Sequence, residues 1–265
     1  MTDLRRITVA VAALALAAAL AVALPASARQ AGRAIGHAPA AHNGTRPAAV
    51  VYHLRPSRVG PPLGACTAAD GDSSTAFALG PGQMNTSSGL DVTLSTANLP
   101  SGVVGAGFDT ALNNAISQWE ATDLGTTAFN TPSTTASVVS AKRDGISTVS
   151  FSGRRVGSAV GLTLLQSFDS SGNLTEADTI LNSKYPWSLN GTFSGNPDSS
   201  GATAGCGGEA GKFDVQAVLT HELGHWVRLD HVLNDVQTMY PVIGTGELRK
   251  RTLAAGDTAG ANAKY

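Results

Sequence analysis

The sequence predicts an α+β fold, a small twisted mixed sheet with about three helices packed on it. Two stretches place apolar residues at helical spacing, and several short runs rich in β-branched residues read as strands. The two kinds intermix without the regular strand–helix alternation of a doubly wound sheet. Size and composition agree: 265 residues, 42% hydrophobic and only 14% charged, can bury a core and have too little charge to stay unfolded.

The elements follow in chain order. Arg5 and Arg6 precede an apolar run over residues 7–24, and Ala26-Ser27-Ala28 supplies small residues at its end. That pattern predicts a signal peptide over residues 1–28, cut after Ala28, in preference to an uncleaved membrane anchor. The mature chain is then expected to be secreted, extracellular and free of the membrane. In an oxidising compartment the only two cysteines, Cys66 and Cys206, are expected to form one disulfide. Residues 29–65 are rich in Ala, Arg, Pro and His without a sustained period, and read as a basic pro-segment or linker. The folded part is expected to begin near Pro61 to Cys66, giving one domain over residues 66–265.

Within that domain, residues 90–94 (Leu-Asp-Val-Thr-Leu) alternate as a half-buried strand does. Phe108, Ala111, Leu112, Ala115, Ile116 and Trp119 share one face of a helix over 109–121. Short strands are expected at 137–140, 146–151, 160–168 and 179–181, with a turn at 169–173. Asp214 is a good N-cap for a second helix reaching Trp226, and a third helix follows Leu253. Trp119, Trp187 and Trp226 are expected in the core or the wall of a cleft, and Arg249-Lys250-Arg251 in a solvated loop.

Charge narrows the function. Residues 29–60 hold five Arg and no acid, whereas residues 61–265 hold 11 basic and 18 acidic groups, a net −7. An acidic domain speaks against nucleic acid as a partner. Three of the six histidines, His221, His225 and His231, fall within eleven residues. On a helix, positions i and i+4 share a face, so His221 and His225 can reach one metal ion. His231 lies too far along to share that face, so the chain must turn back near Arg228. Three neutral imidazoles and one open position are the donor set of a catalytic zinc. Glu222, beside the first ligand, is placed to take a proton from a zinc-bound water as it attacks a carbonyl.

His221-Glu222-Leu223-Gly224-His225-Trp226-Val227-Arg228-Leu229-Asp230-His231 resembles the zinc signature of the metzincin peptidases, and of matrixin-like ones in particular. Thr238-Met239-Tyr240-Pro241 is similar to the family's Met-turn. Leu253, Asp257, Gly260 and Tyr265 are similar to its last helix, and Phe108 to Trp119 to its first. Residues 174–182 with Tyr185-Pro186-Trp187 resemble the edge strand and loop of bacterial members. The resemblance spans roughly residues 90–265. It implies a metzincin-like catalytic domain with the zinc site on its central helix: a secreted zinc endopeptidase in which His221, His225 and His231 hold Zn(2+) and Glu222 is the general base. It further implies that Met239 supports the site, that Pro241, Val242 and Ile243 line the pocket after the scissile bond, and that a protein or peptide substrate pairs as an extended strand near residues 161–165. A monomer is expected.

Two departures stand out. Arg228 replaces the family's usual Gly, whose left-handed backbone costs another residue about 1–2 kcal/mol. On strain alone, Arg228→Gly is expected to leave stability similar or slightly raised. No Pro-Arg-Cys-Gly switch surrounds Cys66, which lies in Gly64-Ala65-Cys66-Thr67, so latency, if any, must come from another device. Calcium is a second candidate ion, with oxygens from Asp169, Asn173, Glu176 and Asp178. The rival functions are a non-catalytic zinc or partner-binding protein on the same scaffold, and a zinc hydrolase of a non-protein amide.

Overall fold

The computed structural model describes residues 49–57, 74–85, 88–125, 128–190 and 208–265. The expected signal peptide, most of the basic segment and both cysteines of the expected disulfide lie outside the described residues. Among the described residues, nine strands and three helices run in the order β1 (Val50–Pro56), β2 (Thr93–Ser95), α1 (Gly105–Glu120), β3 (Ser133–Thr135), β4 (Thr148–Ser152), β5 (Gly161–Phe168), β6 (Leu174–Asn182), β7 (Trp187–Ser188), β8 (Phe213–Asp214), α2 (Val215–Trp226), β9 (Val242–Ile243) and α3 (Ala255–Lys264). Seven strands form one mixed sheet in the order β3-β2-β4-β6-β5-β1-β9, and β7 pairs with β8 apart from it. From β3 through β6 the neighbours are parallel, β5 runs antiparallel to both β6 and β1, and β1 runs parallel to β9. The α+β expectation holds.

The main core lies between one sheet face and helices α1 and α2. It gathers Phe108, Leu112 and Trp119 from α1, Val218, Leu219 and Trp226 from α2, and Val149, Leu165 and Leu181 from the sheet. Val156, Leu162 and Ile180 make a smaller cluster with the partly buried Val51 and Leu164 packed on it. The separation of Leu162 from Leu165 between the clusters follows from the alternation of side chains along a strand. All three tryptophans are buried and each indole N–H finds an acceptor: the Thr220 carbonyl, the Asn182 carbonyl and the Thr179 hydroxyl respectively.

Four local expectations change. The folded part begins earlier than Pro61, because β1 lies within the segment read as a linker. Val50, Tyr52 and Leu54 are buried there while His53 and Arg55 are exposed, a strand alternation hidden by its Ala-, Arg- and Pro-rich surroundings. The third strand is 133–135, where pairing with β2 is available, not 137–140. Residues 174–182 form an interior strand between β4 and β5 and not an edge. Arg249-Lys250-Arg251 is a 3-10 turn with Arg249 and Lys250 buried, not a solvated loop. Each cation there has oxygens to meet. The Arg249 guanidinium holds Glu247 and the Asp235 carbonyl, and Arg251 forks onto the Asp214 carboxylate at 2.6 and 2.7 Å.

The expected helix N-cap is present, with the Asp214 carboxylate accepting from Ala217 N–H at 2.9 Å. Inside the sheet, Asp178 accepts from the Thr148 N–H and hydroxyl and from the Gln166 amide. Burial nevertheless pushes its carboxyl up to about 6. A raised acid pKa means the folded state holds a proton that the unfolded chain releases. Its stabilising contribution is therefore complete below pH ~4 and fades as pH rises through about 6. Asp178→Asn is expected to flatten the stability curve across that window, with the Gln166 amide turned to suit. Urea melts of both chains at pH 4, 5, 6 and 7 check this. Parallel curves would show that Asp178 does not titrate there.

Candidate metal centre

Helix α2 carries His221 and His225 one turn apart on a buried face, and both imidazoles are wholly shielded from solvent. The helix then ends abruptly. Arg228 N–H bonds the His225 carbonyl, Leu229 N–H bonds the Gly224 carbonyl at 2.9 Å, and Arg228 adopts φ +69°. This is a Schellman ending with arginine at the left-handed position where glycine is usual. The reversed chain is held by an isolated bridge of Leu229 to Leu79 and by Asp230 N–H on the Ala78 carbonyl, and it delivers His231 to the other two histidines.

The donor set fits a metal ion. His231 Nε2 lies 3.2 Å from His221 Nε2 and 3.1 Å from His225 Nε2. A tetrahedral zinc with Zn–N of 2.0–2.1 Å sets its nitrogen ligands ~3.3 Å apart. The Nδ1 atoms of His221 and His225 meet the Thr238 and Leu229 carbonyls at 2.6 and 2.9 Å. A carbonyl only accepts, so both protons sit on Nδ1 and both Nε2 lone pairs face inward. Burial holds His221 and His225 well below the ordinary imidazole range. His231 is pushed down to about 3 by burial, with Lys250, Arg55 and His53 adding to it. All three are therefore neutral, the form that binds metal. Among the described residues this is the one group of three or more His, Cys, Asp or Glu side chains that could hold an ion.

Glu222 is fully buried beside them, and burial raises its carboxyl to about 8. Its Oε2 accepts from the Thr163 hydroxyl at 2.6 Å, while Oε1 has no partner among the described residues. Gly161 flanks it: a Cβ at that position would overlap Oε1, so only glycine fits beside the carboxylate. The resemblance places residues 161–165 beside the substrate, but the contacts of Thr163 and Gly161 with Glu222 were not legible, because nothing local distinguishes them from ordinary strand positions.

Below the histidines, Met239 packs against Gly224, where any Cβ would collide with its sulfur and with Trp119. The turn around it is clamped from both sides. Asp257 accepts from Thr238, Met239 and Ala254 N–H, and Lys250 Nζ donates to the carbonyls of Gln237, Thr238 and Tyr240. Thr238 thus ties the clamp to His221 through its carbonyl.

A family model described as Matrixin, peptidase M10, matches residues 87–265. The chain belongs to the matrixin family. Matrixins are zinc metalloendopeptidases, so the three histidines form a zinc site, the domain is a metzincin catalytic domain and its substrates are proteins. Members are typically secreted, and no helix among the described residues is long and apolar enough to cross a membrane. No curated protein matches the chain.

Of the side chains considered for calcium, the carboxylates of Asp169, Glu176 and Asp178 already accept hydrogen bonds within the protein. Asp169 accepts from Ser171 and Asn173 N–H, and Glu176 from Ser167 and Asp144. Arg228 carries more than the strain its sequence position implies. Its guanidinium is buried, donates from Nε to the Pro81 carbonyl at 2.8 Å and lies 5.0 Å over the Phe168 ring. Removing a charge-assisted bond costs about 1.5–3 kcal/mol, and glycine adds about 0.5–1 kcal/mol of chain entropy, against about 1–2 kcal/mol of relieved strain. Arg228→Gly is therefore expected to lower the melting temperature of the zinc form by a few degrees. A melt equal to or above wild type would show that backbone strain outweighs the buried contacts.

Proposed function

We propose that this matrixin hydrolyses peptide bonds with His221, His225 and His231 as zinc ligands and Glu222 as general base. Zinc, when bound, lowers the pKa of a coordinated water toward 7 and polarises a carbonyl. Glu222 then has two distinguishable oxygens. Thr163 holds Oε2 in place, and Oε1 is left to accept the attacking water's proton and hand it to the leaving amine. The unpartnered Oε1 carries the reading, since a buried carboxylate oxygen without a donor costs stability and serves proton transfer. A bound zinc would draw the Glu222 pKa back toward the ionised form.

The substrate is an extended peptide that adds to the sheet through main-chain hydrogen bonds at β5 and at the wall 241–243, once it displaces β1, which pairs with both here. The protein acts as a monomer outside the cell, after loss of residues 1–28. Zymography of the secreted chain tests this. A cleared band is expected that a zinc chelator abolishes and added zinc restores. Clearing that persists through chelation would refute zinc-dependent proteolysis.

A further inference from the structure

Glu222 and Trp226 lie one turn apart on α2, and three hydrogen bonds join their side chains by way of the sheet. Trp226 Nε1 lies 2.9 Å from the Thr179 hydroxyl, and that hydroxyl 2.8 Å from the Thr163 hydroxyl. Thr163 Oγ1 in turn lies 2.6 Å from Glu222 Oε2. Thr163 and Thr179 stand opposite each other in the antiparallel β5–β6 pair, so their hydroxyls meet on the face that α2 covers. All four side chains are wholly buried, so bulk water cannot stand in for a missing partner. The direction of this chain is fixed from both ends. An indole N–H only donates, so Thr179 accepts from Trp226 and its own proton turns to Thr163. A carboxylate only accepts, so the Thr163 proton turns to Oε2 and the Thr163 oxygen receives Thr179. Every proton in the chain then points toward Glu222. Reversing it would leave the Thr179 proton facing the indole donor, with no acceptor among these groups.

We propose that Trp226, Thr179 and Thr163 are positioning residues for the base: a one-way chain of hydrogen bonds that pins Glu222 by Oε2 and leaves Oε1 as its free oxygen. This rests on the reading of Glu222 as general base. Trp226 and Thr179 do not bond that carboxylate, yet both act on it, because each donor in a chain strengthens the bond that its acceptor donates. Oε2 is thereby committed as an acceptor, so the oxygen left to receive a proton is Oε1. The chain also ties the base to two strands of the sheet as well as to its own helix. A carboxylate held by one oxygen loses most of its rotamer freedom, and proton transfer gains from that preorganisation. Both ends of the chain close on α2, so the helix that carries His221 and His225 also sets the polarity of the bond to its own base.

The experiment uses the full-length, zinc-loaded chain. Thr163→Val removes the last hydroxyl with little change of shape. It should lower kcat about 10–100-fold with KM unchanged, the worth of a charge-assisted hydrogen bond. Thr163→Ser keeps a hydroxyl and should recover most of that loss. Thr179→Val should lower kcat less, and should lower it no further in a chain that already carries Thr163→Val. Thermal melts and zinc content establish that each variant is folded and loaded. Additive effects of the two substitutions, or a Thr163→Val chain with wild-type kcat, would overturn the proposal. A second readout needs no activity. The three tryptophans give three indole N–H signals in a nitrogen–proton correlation spectrum, with Trp187, bonded to the Asn182 carbonyl, as the control. Glu222→Ala should move the Trp226 signal upfield, because the Thr179 hydroxyl that accepts it loses polarisation. The same substitution should not move it when Thr163→Val is also present. An equal Trp226 response with and without Thr163→Val would act through space and overturn the chain. A response that Thr163→Val abolishes, in a protein without peptidase activity in any form, would retain the chain and refute the peptidase reading.

Discussion

Glu222→Ala is expected to lower kcat/KM by about 10²–10⁴-fold while zinc content and fold persist. The separation of these effects follows from what holds each group. The metal ligands are oriented by main-chain carbonyls of Thr238 and Leu229, not by Glu222, so removing the carboxylate leaves the imidazoles where they are. Thr163 keeps a partner as well, since its hydroxyl also lies 2.8 Å from that of Thr179. Loss of a buried carboxyl whose ionisation burial opposes removes a liability, which offsets the small void left behind. His231→Ala is the contrasting variant. It deletes the one of three ligands that lies outside α2, and zinc should be lost on dialysis. Metal analysis and peptide hydrolysis of both variants give the result. A Glu222→Ala chain cutting at near the wild-type rate would remove Glu222 as the base, and a His231→Ala chain that kept its zinc would refute the three-histidine site.

The metal centre was legible because its chemistry is local. Two histidines one helical turn apart, a carboxylate beside the first and a third histidine after a forced reversal can be recognised without any tertiary information. The helices were legible for a similar reason, since α1 repeats its apolar residues on one face and α2 starts at a capping aspartate. Strand limits depended on pairing that no local pattern contains. Residues 133–135 are exposed or half-buried and become a strand only because β2 lies beside them.

β1 and the basic turn were misread through composition. Val50-Val51-Tyr52-His53-Leu54 sits in a stretch dominated by Ala, Arg and Pro, and its value as a strand lies in two walls contributed from residues 161–165 and 241–243. Arg249-Lys250-Arg251 looks solvated because three adjacent cations usually are. Here each meets oxygens brought from elsewhere, and burial pushes the Lys250 ammonium down to about 7 even as three carbonyls receive it. Arg228 shows the opposite balance. Its left-handed backbone was readable from the resemblance, whereas the buried contacts that reverse the expected effect of Arg228→Gly were not.

Asp257→Ala is expected to be the most damaging change away from the metal ligands, costing about 3–5 kcal/mol. Three N–H groups converge on this carboxylate: Thr238 and Ala254 on Oδ2, at 2.9 and 2.8 Å, and Met239 on Oδ1 at 3.1 Å. The side chain is 1% exposed, so water cannot replace it without opening the turn. Each orphaned buried donor costs about 1–3 kcal/mol, and three together approach the whole stability of an ordinary domain. Burial raises the Asp257 carboxyl, opposed by these same N–H bonds, so the group contributes by its acceptors and not by a favourable charge site. The damage should reach the zinc. Thr238 offers its carbonyl to both His221 Nδ1 and Lys250 Nζ, and a loosened turn releases His221 from its orientation. Loss of such an orienting bond lowers metal affinity by about 10–100-fold. Asp257→Asn keeps one acceptor oxygen and turns an N–H toward a donor, so it should fall between Ala and wild type in both measurements. Thermal melts with zinc bound, paired with a competitive chelator titration, read the two effects separately. An Asp257→Ala chain that melted like wild type would mean that the turn finds other acceptors, and one that melted lower yet held zinc at full affinity would break the proposed link from Asp257 through Thr238 to His221.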